Sequence, residues 1–88
     1  MTRSYQVILS NRAARELRSL PLPDRRATLA ALDALVDDPR AGKPLVGQLA
    51  GVWSLRRGDF RILYRLDDDA RRVEIARIAH RRDVYRRR

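Results

Sequence analysis

Lys43, Arg56, Arg61, His80, Arg81 and Tyr85 are the side chains of this 88-residue chain whose types suit chemistry rather than packing. They combine fixed cations with one imidazole that titrates near neutrality and one phenol. Such a set could cut RNA without metal: the 2′-hydroxyl attacks the adjacent phosphate while the protein supplies a base, an acid for the leaving oxygen and cations. Arg61 and Arg81 would stabilise the charge of the pentavalent transition state, and His80 and Tyr85 are the acid and base candidates. Arg56, Arg57 and Arg65, with Lys43, would extend the contact to the RNA phosphates.

Each of these residues has a plainer role to weigh against this. A lone histidine at a strand end is more often a surface or capping residue than a catalyst. A tyrosine such as Tyr85 more often packs its ring over a sheet edge, and Arg86-Arg87-Arg88 reads as a solvated tail with nonspecific affinity for phosphate. Trp53 and Tyr64 read as core. The carboxylates show neither paired nor metal-ligand spacing, so no metal or other cofactor is expected.

The stretch that must position the cations is Gly51 to Leu66, GVWSLRRGDFRILYRL. Gly58-Asp59 is a pair suited to a two-residue hairpin loop, with glycine free to take a positive φ. The loop then sets the partners: Arg57 opposite Phe60, Arg56 opposite Arg61, Leu55 opposite Ile62, Ser54 opposite Leu63 and Trp53 opposite Tyr64. Side chains alternate between faces. One face carries Trp53, Leu55, Phe60, Ile62, Tyr64 and Leu66; the other carries Val52, Ser54, Arg56, Arg61, Leu63 and Arg65. Arg56 directly opposite Arg61 weakens a sheet by roughly a few tenths to 1 kcal/mol, and an anion between them would reverse that sign.

Around the hairpin, Ser4 to Leu9 alternates as a strand, with Tyr5, Val7 and Leu9 on one side. Ser10 or Asn11 offers an N-cap to a helix that buries Ala13, Ala14, Leu17 and Leu20 and turns Arg12, Arg15, Glu16 and Arg18 outward. Pro21-Leu22-Pro23 ends that helix; a second has Pro23 in its first turn and Asp24 at its N-terminus, with Leu22, Leu29, Leu32 and Leu35 or Val36 repeating at helical spacing, and Asp37-Asp38-Pro39 stops it. Arg40 to Ala50 reads as a long connection. Asp67-Asp68-Asp69 makes an acidic turn into a last strand, Val73 to Ala79, whose far end brings His80 and Arg81 level with Arg61. The turn is too long to set the register, so the face of Arg77 stays open. The expectation is one domain over residues 1–88, of α+β class: a small, largely antiparallel sheet in the order β-α-α-β-β-β, with an N-terminal helical hairpin packed on one face.

Composition bounds the partners. The net charge is +9, and residues 45–88 hold twelve basic and six acidic residues against eight and five in residues 1–44, so the excess lies in the half with the hairpin. Attraction to nucleic acid follows from the charge alone. Nineteen of the twenty basic residues are arginine, which fits phosphate recognition and equally a GC-rich codon bias. There is no cysteine, which excludes disulfides and thiolate sites. Neither a signal peptide nor a membrane span is evident, so a cytoplasmic protein with no membrane contact is expected.

Several segments in order resemble one family. They are Ala13-Ala14 to Leu17, Asp38-Pro39-Arg40, Gly42-Lys43-Pro44-Leu45, Leu49-Ala50-Gly51, Trp53-Ser54, Arg56 to Tyr64 and His80-Arg81-Arg82-Asp83-Val84-Tyr85. The chain is similar over essentially its whole length to RelE-type toxins of bacterial toxin–antitoxin pairs, in the wider RelE/ParE superfamily. The resemblance implies a RelE-like fold and an mRNA interferase that enters the ribosomal A site and cleaves mRNA. It also implies a cognate antitoxin that wraps the toxin, and operator DNA contacted only through the toxin–antitoxin complex. By motif position Arg61 and Arg81 match the family's phosphate-binding arginines, Tyr85 its catalytic tyrosine and Arg56 a further basic residue. Where well-studied members carry two lysines on the cationic face, this chain has Val52 and Ser54, and Lys43 or His80 is the candidate to compensate. ParE-type members share the fold and poison DNA gyrase by binding, so a binding toxin is the alternative.

Overall fold

The computed structural model describes residues 4–80 and 82. Arg81, Tyr85 and the Arg86-Arg87-Arg88 tail lie outside the described residues. The chain runs as β1 (Gln6–Leu9), α1 (Asn11–Ser19), α2 (Leu22–Leu35), β2 (Lys43–Pro44), a 3-10 turn (Gly47–Leu49), β3 (Trp53–Arg57), β4 (Phe60–Asp67) and β5 (Arg72–His80). One five-stranded sheet has the order β1-β5-β4-β3-β2. It is antiparallel except where β1 lies parallel to β5, Val7 beside Val73. The α+β expectation holds, with β2 as an added strand inside what reads in sequence as a connection.

The central hairpin has the expected register at all five pairs, from Trp53 opposite Tyr64 to Arg57 opposite Phe60. Gly58 takes a φ of 59° at the loop, a conformation that costs a residue with a Cβ and costs glycine little. The alternation sorts the side chains as expected: Ile62, Tyr64, Val73, Ile75 and Ile78 join Ala13, Leu20, Ala31, Leu32 and Leu35 in the core, with Trp53, Leu55, Phe60 and Leu66 packed against it.

Ser10 shapes the junction of β1 and α1. Its hydroxyl accepts from the Ala13 N–H at 3.0 Å, capping the helix, and donates to the Ala76 carbonyl at 3.0 Å. Ala76 is the extra residue of a β-bulge, since Leu63 pairs with Arg77 and Tyr64 with Ile75. The bulge keeps both Ile75 and Ile78 in the core although they are three residues apart.

Two helix expectations are corrected. Leu22 and Leu29 are 51% and 47% exposed, and the buried stripe of α2 is Thr28, Ala31, Leu32 and Leu35. Leu29 follows Thr28 by one position, about 100° around the helix, and Leu22, two turns earlier, lies on the same side as Leu29. Glu16 does not point to solvent. Its carboxylate accepts from the Ile78 N–H at 2.8 Å and from the Arg77 guanidinium at 2.9 Å. Beyond Leu9, β5 has no β1 partner, and Glu16 satisfies the edge amide that β1 would otherwise meet.

Replacing Glu16 by Ala leaves that amide and the half-buried Arg77 without their acceptor, which should cost about 1–3 kcal/mol in urea unfolding. Glu16→Gln, which keeps one acceptor oxygen, should recover part of it. Equal stability of Glu16→Ala and the wild type would remove the edge-capping role.

Candidate functional site

The face of the sheet away from the helices is built on the even positions of β3 and the odd positions of β4. Ser54 is buried at 5% exposure, and Val52, Leu63 and Ala79 are buried with it. Arg61 lies over this floor, its guanidinium donating to the Ser54 hydroxyl at 3.3 Å. Arg56 pairs with Arg61 across the hairpin, and its Nε–H donates to the Gly58 carbonyl at 3.3 Å. Lys43 pairs with Ser54 from the other side, on β2. Ala41, Gly42, Lys43, Ser54, Arg56 and Arg61, with Leu55, line a cleft of about 340 Å³.

Three cations thus converge on one small concavity, and no carboxylate is among its described lining residues. Gathering like charges is unfavourable, although solvent screens the exposed Lys43 and Arg56. An anion with several acceptor oxygens inverts that cost, and guanidinium groups present the fork that phosphate fits. The described lining offers no set of ligands for a metal ion.

The turn before β2 is hydrogen-bonded to Tyr64. This ring is fully buried, stacked on Trp53 with centroids 6.3 Å apart. Its hydroxyl donates to the Pro39 carbonyl at 2.8 Å and accepts from the Gly42 N–H at 3.1 Å. Burial, the largest cause, pushes the Tyr64 phenol above its ordinary value, and the Gly42 hydrogen bond pulls it part of the way back. An outer clasp continues the same segment. The Arg40 guanidinium lies 5.9 Å from the Trp53 ring centroid and 2.6 Å from Asp68, and the Tyr5 hydroxyl donates to the same carboxylate at 2.6 Å. The hydrogen bonds from Tyr5 and then Arg40 hold the Asp68 carboxyl below its usual range.

His80, Arg77, Arg65 and Arg57 fall elsewhere. His80 pairs with Phe60 while Ala79 pairs with Arg61, so strand alternation sends the imidazole to the opposite face from the cleft. There it packs edge-on to Phe60, ring centroids 5.6 Å apart, and its Nδ1 accepts from the Arg82 N–H at 3.1 Å. Arg77 is turned to Glu16 and away from the cluster. Arg65 shares the face of Arg61 but four residues along, on the order of 13 Å away, in a depression with Asp67, Asp68, Asp69 and Glu74. Arg57 lies exposed at the hairpin end, its guanidinium donating to the Arg56 carbonyl at 3.3 Å.

Ser54, Gly42 and the Tyr64 hydroxyl are the parts of the site that sequence reasoning missed. A signal for Tyr64 exists: a buried phenol needs a hydrogen-bond partner. That the partner would be the turn before Lys43 is not in the local pattern. A two-residue strand is likewise too short to register as alternation.

Comparison with known proteins bears on what this cleft serves. A family model described as the ParE toxin of a type II toxin–antitoxin system, parDE, matches residues 7–85. The chain is 45% identical over 85 residues to Toxin RelG of Mycobacterium tuberculosis, covering 94% of this chain and 98% of that protein. It is 43% identical over 84 residues to Toxin RelE of the same organism, covering 93% and 87%. Among solved structures, the toxin–antitoxin complex RelBE2 of M. tuberculosis contains a chain that matches with a TM-score of 0.82 and 40% identity, over 88% of this chain and 98% of that one.

Two titrations follow from the clasp. Tyr64 favours its neutral form in the fold, so its stabilisation is complete below the ordinary tyrosine range near pH 10 and disappears as pH rises through the higher folded value. Absorbance titration at alkaline pH should show one of the three tyrosines ionising late and together with unfolding, and Tyr64→Phe should abolish that phase. Asp68 has the opposite sign: its contribution is present above the unfolded carboxylate range near pH 4 and is lost as pH falls through the lower folded value. Denaturation of Asp68→Asn should therefore change less than that of the wild type across this acid range.

Proposed function

The chain belongs to the RelE/ParE superfamily of type II toxin–antitoxin toxins, as a RelE-family member, and from that membership we propose that it is an mRNA interferase acting in the ribosomal A site. The observation that carries this reading is the cleft in which Lys43, Arg56 and Arg61 converge around Ser54. Its size and charge suit a backbone phosphate.

In the proposed reaction the 2′-hydroxyl oxygen of one nucleotide bonds to the adjacent phosphorus and the bond from phosphorus to the 5′-oxygen breaks. The products are a 2′,3′-cyclic phosphate and a 5′-hydroxyl. Arg61, already oriented by Ser54, neutralises the charge that builds on the non-bridging oxygens, with Arg81 as its partner by motif position. Arg56 holds the flanking phosphate. The Lys43 ammonium, which has N–H donors and no acceptor, is suited to donate to the leaving 5′-oxygen. The 2′-proton passes to the Tyr85 oxygen, which must act as the phenolate to accept it and is matched by motif to the family's catalytic tyrosine. His80, on the other face, is left out of the chemistry.

A cognate antitoxin is the proposed partner, as in the RelBE2 complex, and the +9 charge favours an acidic segment that covers the cleft. A cytoplasmic location follows from action on the ribosome.

A gyrase-binding toxin of ParE type is the second reading. It is favoured by the ParE description of the matching family model and by buried Val52 and Ser54 where well-studied interferases carry lysines.

One experiment separates them: incubation of purified toxin with mRNA on a programmed ribosome, with the cut ends mapped. Cleavage leaving a 2′,3′-cyclic or 3′-phosphate is expected, with the rate lowered about 10²–10³-fold in Arg61→Ala. Arg65→Ala, remote from the cleft and beside carboxylates, should change it less than about twofold, because only contacts stronger in the transition state alter the rate. Intact mRNA together with inhibited supercoiling by gyrase would replace the first reading with the second.

A further inference from the structure

We infer that Tyr64 is a positioning residue for the cationic cleft: its buried phenol holds the turn that delivers Lys43 beside Arg56 and Arg61. The inference rests on the reading of the cleft as an RNA-phosphate site and adds a residue that never touches the RNA.

The turn enters on Pro39 and leaves on Gly42, and the single Tyr64 oxygen binds both ends, donating to the Pro39 carbonyl at 2.8 Å and accepting from the Gly42 N–H at 3.1 Å. The next residue is Lys43, opposite Ser54. Ser54 also accepts from Arg61 at 3.3 Å, so lysine and arginine are both registered on one serine. β2 has few ties of its own to hold this register. It has two residues, Pro44 has no N–H to give, and the next tie is the Leu45 N–H on the Val52 carbonyl at 2.8 Å.

Gly42 reports how closely this junction is packed. A Cβ there would stand 2.7 Å from the Ser54 carbonyl oxygen and 2.8 Å from the Tyr64 hydroxyl. β2, β3 and the phenol therefore meet at a distance only glycine allows. Lysine reaches its target through a flexible stem with large rotamer entropy. Its effective placement is set by where the backbone is fixed, and the phenol fixes it one residue away.

The test is a double-mutant cycle between Tyr64→Phe and Lys43→Ala, read as binding of a labelled single-stranded 2′-O-methyl RNA at several salt concentrations. Phe keeps the ring on Trp53 and removes only the oxygen. Loss of one phosphate contact should lower the salt slope by about 0.7 in each single variant, and the double variant should bind like Lys43→Ala alone. Gly42→Ala wedges the same junction with the phenol intact, should give the same slope, and takes the place of Tyr64→Phe in the cycle if that variant does not fold.

Wild-type affinity and slope in folded Tyr64→Phe would overturn the inference. So would effects that multiply in the double variant while the slope stays unchanged, because that is general loss of fold. Cross-strand NMR contacts between Lys43 and Ser54 separate the two levels of failure. If those contacts are lost in Tyr64→Phe but Lys43→Ala binds RNA as the wild type does, the phosphate reading of the cleft has failed and the inference with it. If Lys43→Ala weakens binding and the contacts survive in Tyr64→Phe, only the inference has.

Discussion

The structure depends on the two-residue loop at Gly58-Asp59. A strand repeats every two residues, so a loop that sets one pair sets every pair of the hairpin and the face of every side chain on it. With Arg56 opposite Arg61, the same register that collects Ile62 and Tyr64 in the core puts the two arginines on the reverse. A slip of one residue would bury arginine and expose isoleucine. Core and cationic surface are thus one decision, made at the turn.

The edges of this small sheet are managed by side chains instead of further strands. On the β5 side, β1 ends at Leu9 and Glu16 takes over, accepting from the Ile78 amide as a neighbouring strand would. The cost of burying a carboxylate is offset by the Arg77 guanidinium on the same group. On the β3 side, the two residues of β2 form the edge, and the phenol of Tyr64 secures them from within the core. Both devices are single polar groups that satisfy backbone atoms far away in sequence, and both lie beside segments that carry basic residues.

Tyr64 also joins two layers that otherwise share little. Its ring belongs to the core, under Trp53 and over the helical hairpin; its oxygen belongs to the turn before Lys43. The outer clasp of Arg40, Asp68 and Tyr5 repeats the arrangement at the surface, tying the start of β1 to the turn after β4. Those exposed pairs are screened by solvent and add orientation more than stability.

The sequence by itself determined the hairpin register, the α+β class, the approximate helix starts and the membership of Arg56 and Arg61 on one face. These rest on local rules: a loop length, a period of two, a proline and a serine at helix starts. Only the tertiary structure decided what crosses those rules. Leu22 and Leu29 read as buried because leucine at helical spacing satisfies the pattern, but which stripe meets the sheet depends on how α2 is rotated against it. Glu16 reads as solvated until β1 proves too short to cover β5. His80 and Arg61 look adjacent in the folded chain, yet the partner of Arg61 is Ala79, and a one-residue offset puts the histidine across the sheet. Lys43 reached the cleft through a hydrogen bond between residues more than twenty positions apart. Each of these depends on distances between elements, which local patterns do not carry.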